Sequence, residues 1–190
     1  MGFDTVSRLF HWVTVLLVAV MIPVGVVMTQ DIPRSVQDPL FILHKGLGPV
    51  VLLVVLLRLA WRAAHPAPPL PASVPAWQVR AAHGVHAALY GFLILQAVSG
   101  YVRVTTGGFP IESLEAIGIA PLLPKVEPVG DVASVVHRIS AVCLLLLIAM
   151  HAGAAAFHGL VRHDGVFSRM WPPIAPKPHP APARETMSEE

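Results

Sequence analysis

Four long apolar stretches, set apart by segments rich in proline, glycine and charge, dominate the pattern of this chain. They run from about Leu9 to Thr29, Phe41 to Trp61, His83 to Val104 and Val132 to Leu160. A helix rising about 1.5 Å per residue needs about 20 mainly apolar residues to cross hydrocarbon, and each stretch meets that length. No Asp or Glu falls inside any of the four. The pattern predicts an all-α membrane protein, a four-transmembrane-helix bundle. The first stretch follows Arg8 as a secretion signal would, but its apolar run from Trp12 to Met28 exceeds a signal core of about 7–15 residues. No small-x-small site follows it, so it reads as a retained helix.

The segments between the helices set the organisation. "HPAPPLPASVPAW", with five prolines, is an extended connector between two helical hairpins, because proline lacks the donor that a helix or sheet needs. The longest connection, Thr105 to Gly130, mixes apolar residues with turn formers and is expected to form a short lid on the membrane surface. Residues 1–172 form the helical domain, and the Pro-rich, charged tail over 173–190, with His179, is expected to be disordered. Trp12, Trp61, Trp77 and Tyr101 fall near helix ends, where amphipathic rings anchor a bundle at the interface.

Composition supports the membrane class. Of 190 residues 55% are hydrophobic and 13% charged, and the mean hydropathy of +0.67 lies outside the range of an ordinary soluble domain. The sequence pI near 9.0 does not indicate nucleic acid, because the basic residues flank oily helices and suit topology and anionic lipid headgroups. Arg8, Arg58, Arg62, Arg80, Arg162, Arg169, Lys177 and Arg184 fall on one side, against Arg34, Lys45, Arg103, Lys125 and Arg138 on the other. Eight against five places both termini in the cytoplasm. The one cysteine, Cys143, reads as a small residue within a helix.

Against this background the ten histidines stand out, since an ionisable side chain inside a membrane is a functional candidate by default. His11 opens the first helix, His44 the second, His83 and His86 the third, while His137 and His151 lie within the fourth. The fourteen residues from His137 to His151 correspond to about 21 Å along the axis and about 40° in azimuth, so both look out from one face at two depths. Each depth offers a matching histidine on another helix, His44 for His137 and His11 for His151. Two such pairs suit two bis-histidine haems b stacked across a bilayer. Gly25, Gly46, Gly48, Gly91, Gly100 and Gly153 leave room for a flat macrocycle or for close helix packing. Arg8 and Arg80 on one side, and Lys45, Arg103 and Arg138 on the other, are available to haem propionates. Zinc would want four ligands converging at one level, which this arrangement does not offer.

The stretches "SRLFHWVTVLLVAVMIPVG", "FILHKGLGPVVLLVVLLRLAWR", "HGVHAALYGFLILQAVSGY" and "VHRISAVCLLLLIAMHAGAAAFHGLVRHDGVFSRMWP" resemble, in order, the four helices of the bacterial cytochrome b561 family, over roughly Val6 to Pro172. The resemblance implies a multi-pass inner-membrane bundle with two haems b that exchanges electrons with membrane quinone, ubiquinone as the expected substrate. It assigns His11 and His151 to the cytoplasmic-side iron, and His44 and His137 to the periplasmic-side iron. His86 matches the third-helix histidine of the family, is read here as a non-ligand, and could meet a propionate or line a quinone pocket. His158, seven residues past His151, could replace it as ligand or donate a proton at a quinone site, with Arg162 and His163 nearby. One family type is similar to a superoxide oxidase that reduces ubiquinone, and others are cytochrome subunits passing electrons for hydrogenases or formate dehydrogenases. Three readings therefore stand: a superoxide:quinone oxidoreductase, an electron conduit for a redox protein partner, and a histidine-dependent metal or proton transporter.

Overall fold

The structure, a computed structural model, describes residues 2–171. Four helices are long and apolar enough to cross a membrane: α1 (Thr5–Val27), α2 (Arg34–Ala64), α3 (Ala76–Thr106) and, after a short α4 (Glu112–Glu115), α5 (Glu127–Phe157). The order matches the reading of the sequence, but every long helix starts earlier than hydropathy suggests. The apolar run marks only the part that needs hydrocarbon, whereas backbone hydrogen bonding continues through the polar headgroup layer. Two consequences correct the sequence reading. Asp38, Glu127 and Asp131 belong to helices, near their ends. His11, His44 and His86 lie well within their helices rather than at their openings. The expected tail over 173–190 lies outside the described residues.

Helix boundaries have local causes. Asp4 caps α1 by accepting from the Ser7 backbone N–H at 2.9 Å, satisfying a donor that the first turn leaves open. Pro33 and Pro75 stand just before α2 and α3, where a missing N–H costs nothing. α5 does not stop cleanly: a π-helical turn, His158–Arg162, continues it until His163 adopts a left-handed φ of 50°.

Packing follows the chain around the bundle, α1 against α2, α2 against α3 and α3 against α5. Val51, Val55, Leu93 and Leu144 form the buried core, wrapped by Leu17, Val18, Met21, Leu89, Phe92 and Ile148. Few other large side chains are enclosed. Leu16, Leu53, Ile139, Leu146 and Leu160 face outwards, with well over half of Leu16, Leu146 and Leu160 exposed, as lipid-facing side chains of a membrane bundle are.

The two ends are tied differently. At the end that holds both described termini, the chain after α5 folds back over the entrance to α1. Buried Arg169 donates to the Pro68 carbonyl at 2.7 Å and lies over the Phe3 ring, while Phe3 N–H reaches the Arg169 carbonyl. Trp12 Nε1 donates to the Met170 carbonyl at 2.8 Å, and Trp61 Nε1 to Asp4 at 3.2 Å. The Pro-rich connector is thus bound by the segment after α5, which also holds the start of α1. At the opposite end, the connection between α3 and α5 forms a lid. Lys45 Nζ binds Glu112 at 2.8 Å and the Pro110 carbonyl at 2.9 Å, and the Tyr101 hydroxyl accepts from Leu122 N–H.

Arg169→Ala removes a charge-assisted hydrogen bond at the terminal end and one of the ties on the connector, at a cost of about 2 kcal/mol. A thermal unfolding scan in detergent is expected to show a lowered midpoint, and no change would refute this role for the clamp.

Candidate functional site

The hydrophobic spacing of α2 and α5 arranges polar groups in two levels around an apolar layer. On α5, His137, Leu144 and His151 are separated by sevens, as are His44, Val51 and Arg58 on α2. Seven residues make nearly two turns, so each trio shares a face. Leu144 and Val51 sit in the core between the levels.

At the lid level the His44 and His137 ring centroids are 6.3 Å apart at 84°, and at the terminal level those of His11 and His151 are 6.2 Å apart at 71°. Each pair joins helices that are not chain neighbours. Two imidazoles on opposite sides of one metal atom, each about 2.0 Å from it by a ring nitrogen that lies about 1.1 Å from the ring centre, would have centroids about 6 Å apart. Both pairs have about that separation.

Glycine makes the lid-level pair possible. A Cβ at Gly25 would lie 2.9 Å from His44 Cε1, and one at Gly100 would lie 2.9 Å from His137 Cε1. These glycines therefore make room for the imidazoles. Gly46 faces Ser113 of the lid, while Gly48, Gly91 and Gly153 have open space where a side chain would stand.

Hydrogen bonds orient the His137 ring. Its Nδ1 lies 3.0 Å from the Gln96 carbonyl, which can only accept, so Nδ1 carries the proton and Nε2 keeps its lone pair. That is the tautomer a metal-binding histidine needs. The Gln96 side-chain amide donates to this lone pair at 3.0 Å and is itself held by the Ser140 hydroxyl. The His44 ring faces the Met21 carbonyl, but its Nδ1 is buried without a partner of good geometry.

At the terminal level three imidazoles gather, with the His86 ring 5.2 Å from His151. His86 also lines an open cavity of about 440 Å³ with Leu59, Arg62, His83, Ala87 and Tyr90. His158 stands apart from this group: its Nδ1 meets Asp164 Oδ2 at 2.6 Å, with Arg162 Nε 3.7 Å from the same oxygen. Burial pushes the Asp164 carboxyl up, but hydrogen bonds from His158 and the Val166 N–H outweigh this and hold it below its ordinary range. Arg162 also reaches the Ser73 carbonyl, and His163 is exposed. The expected grouping of His86 with His158, Arg162 and His163 is therefore divided between two places. Arg8 Nε is buried and unpartnered, Arg138 is exposed, and Lys45 is committed to the lid.

A family model described as prokaryotic cytochrome b561 matches residues 2–173. The chain belongs to this family. Similar curated proteins include cytochrome b561 homolog 2 of Escherichia coli K12, 29% identical over 88% of this chain and 90% of that protein. Cytochrome b561 homolog 1 of the same organism is 26% identical over 90% and 97%. A probable superoxide oxidase CybB of Yersinia pestis is 26% identical over 85% and 91%. As a prokaryotic cytochrome b561 the chain is a multi-pass bacterial membrane protein with an electron-transfer role, and its cofactor is haem b.

Two groups escaped the sequence reading. Arg58 counted only as a topology charge, yet its Nη2 lies 3.1 Å from His11 Nδ1 and its guanidinium over Tyr90. Gln96 gave no signal at all, because a lone amide in an apolar helix has no pattern to betray it.

The lid beside His44 is expected to respond to acid. Burial raises the Glu112 carboxyl, and its hydrogen bond to Lys45 more than offsets this, leaving it below the ordinary value of 4.5. A lowered folded value means that the bond stabilises the lid above the unfolded value and is lost as pH falls through the folded one. Amide exchange corrected for intrinsic rates is expected to show lid protection at neutral pH and its loss in acid. Glu112→Gln is expected to weaken that protection already at neutral pH; acid-independent protection would contradict the assignment.

Proposed function

We propose that this cytochrome holds two haems b, His44 and His137 binding the iron at the lid level and His11 and His151 that at the terminal level. The observation that carries this reading is the pair of cross-helix ring spacings, 6.3 and 6.2 Å, at two depths of one bundle. His151 is favoured over His158 because it faces a second imidazole, whereas His158 faces a carboxylate. When bound, haem b supplies a one-electron iron couple whose potential the surrounding residues tune. Arg8 at the terminal level and Arg103 and Arg138 at the lid level are the cations available to propionates. Among the described residues no group of three or more histidine, cysteine or acidic side chains converges as a metal site, which weighs against the transporter reading.

The excess of lysine and arginine supports a terminal end in the cytoplasm and a lid in the periplasm, in the bacterial inner membrane. The cavity beside His86 then opens near the cytoplasmic face, where a quinone ring would meet Arg62, His83 and Tyr90 as polar partners. His86 joins this cavity to His151, and suits proton delivery as the quinone is reduced. Superoxide is the favoured donor because one relative is named a probable superoxide oxidase and because Arg103 and Arg138 put two mutually close cations at the lid end. Two superoxide anions would each lose one electron to give two O₂, and one ubiquinone would take both electrons with two protons. A second reading, a conduit for a redox protein, draws on the lid, where Phe109, Ile117 and Leu122 are more than half exposed.

A reduced-minus-oxidised spectrum with a haem count tests this. Two haems b per chain are expected, with one lost in His44→Ala and a different one in His151→Ala; no haem in folded protein supplied with haem would overturn the reading. Gly100→Ala is expected to drive the His137 ring aside and remove the lid-level haem alone, since its Cβ cannot stand 2.9 Å from Cε1. An intact lid-level haem in that variant would contradict the pairing. Superoxide-driven quinone reduction by purified protein separates the oxidase from the conduit, which needs its partner.

A further inference from the structure

The two histidine levels differ in a way that the pairing alone does not explain. At the lid level His137 Nδ1 donates to a carbonyl, which keeps the lone pair that ligation needs on Nε2, where only the neutral Gln96 amide now meets it. At the terminal level His11 Nδ1 lies 3.1 Å from Arg58 Nη2. A guanidinium only donates, so this contact requires a lone pair on Nδ1 and, on a neutral ring, a proton on Nε2. Ligation through Nε2 requires the reverse. The Arg58 contact and ligation by neutral His11 therefore exclude one another.

Arg58 released from His11 would be a guanidinium in the interior of the bundle. Among the described ion pairs the arginines are Arg34 with Asp38 and Arg162 with Asp164, both elsewhere. Tyr90 offers its ring face and its neutral hydroxyl, and neighbouring Arg62 repels. An enclosed cation without a counter-charge is costly. Arg8, three residues before His11 on α1, adds a buried and unpartnered Nε. Arg58 lies fourteen residues past His44, so α2 presents a histidine at one level and an arginine at the other on nearly the same face.

We propose that Arg58 binds a propionate carboxylate of the terminal-level haem, giving up its contact to His11 when that ring ligates, with Arg8 as its partner from α1. The proposal rests on the two-haem reading and assigns a residue that the sequence presents as a topology charge. Arginine suits the role, since its planar fork can meet a carboxylate through two parallel N–H bonds.

The test uses purified haem-loaded protein in the His44→Ala background, which keeps only the terminal-level haem. Arg58→Gln is expected to speed transfer of that haem to excess apomyoglobin by about tenfold or more and to shift the propionate-bending band in resonance Raman spectra. Arg58→Lys, which keeps a cation, is expected to restore both in part. In the His151→Ala background, which keeps only the lid-level haem, Arg58→Gln is expected to change neither readout. An unchanged propionate band in Arg58→Gln overturns the proposal, whatever happens to the transfer rate, because the residue would then act through His11 alone. Should Arg58→Gln fail to hold haem, the band of Arg58→Lys decides: shifted supports the proposal, unshifted overturns it. A His44→Ala protein without any haem would instead overturn the two-haem reading.

Discussion

A helix turns 100° per residue, and this bundle depends on the near coincidence of fourteen residues with four turns. That coincidence lets α5 present His137 and His151 on one side, about 21 Å apart, and lets α2 present His44 and Arg58 likewise. Halfway along each run lies a core residue, Leu144 or Val51. Polar chemistry is thereby confined to two levels, and the layer between them is apolar and enclosed. Breaking the seven-residue step on either helix would turn a histidine towards lipid, where nothing could satisfy it.

The second determinant is that, among the described residues, the apolar stretches of the four long helices carry no carboxylate. The described ion pairs all lie near helix ends or in the connections, so the arginines that point inwards have ring faces and imidazoles for company. In a soluble protein such cations would reach water. Here Arg8 and Arg58 are held by helix geometry beside the histidines, which makes anion binding the natural complement of metal binding at the same level. The terminal clamp and the lid are the other side of this division, since they gather the carboxylates Asp4, Glu112 and Asp164 outside the hydrocarbon.

How far the sequence reveals this depends on periodicity. Four apolar runs and the fourteen-residue spacing of two histidines are local patterns, and they led to the bundle and to the His11–His151 and His44–His137 pairings whose rings the fold brings together. Contacts between distant segments have no such pattern. Lys45 reads as a charge free for a propionate, and its bond to Glu112, 67 residues away, appears only when the lid closes over α2. His158 reads as a rival ligand until the π-turn and the left-handed His163 bring Asp164 back to it. Gly25 and Gly100 could be assigned to helix contact or macrocycle space from sequence, and only the fold shows them pressed against imidazoles.

The most direct test of the two-level account is anomalous scattering at the iron edge from crystals of the haem-loaded protein. The account predicts two iron peaks separated by about 20 Å along the bundle axis, one between His11 and His151 and one between His44 and His137. A single peak, or a peak coordinated by His86 or His158, would contradict it.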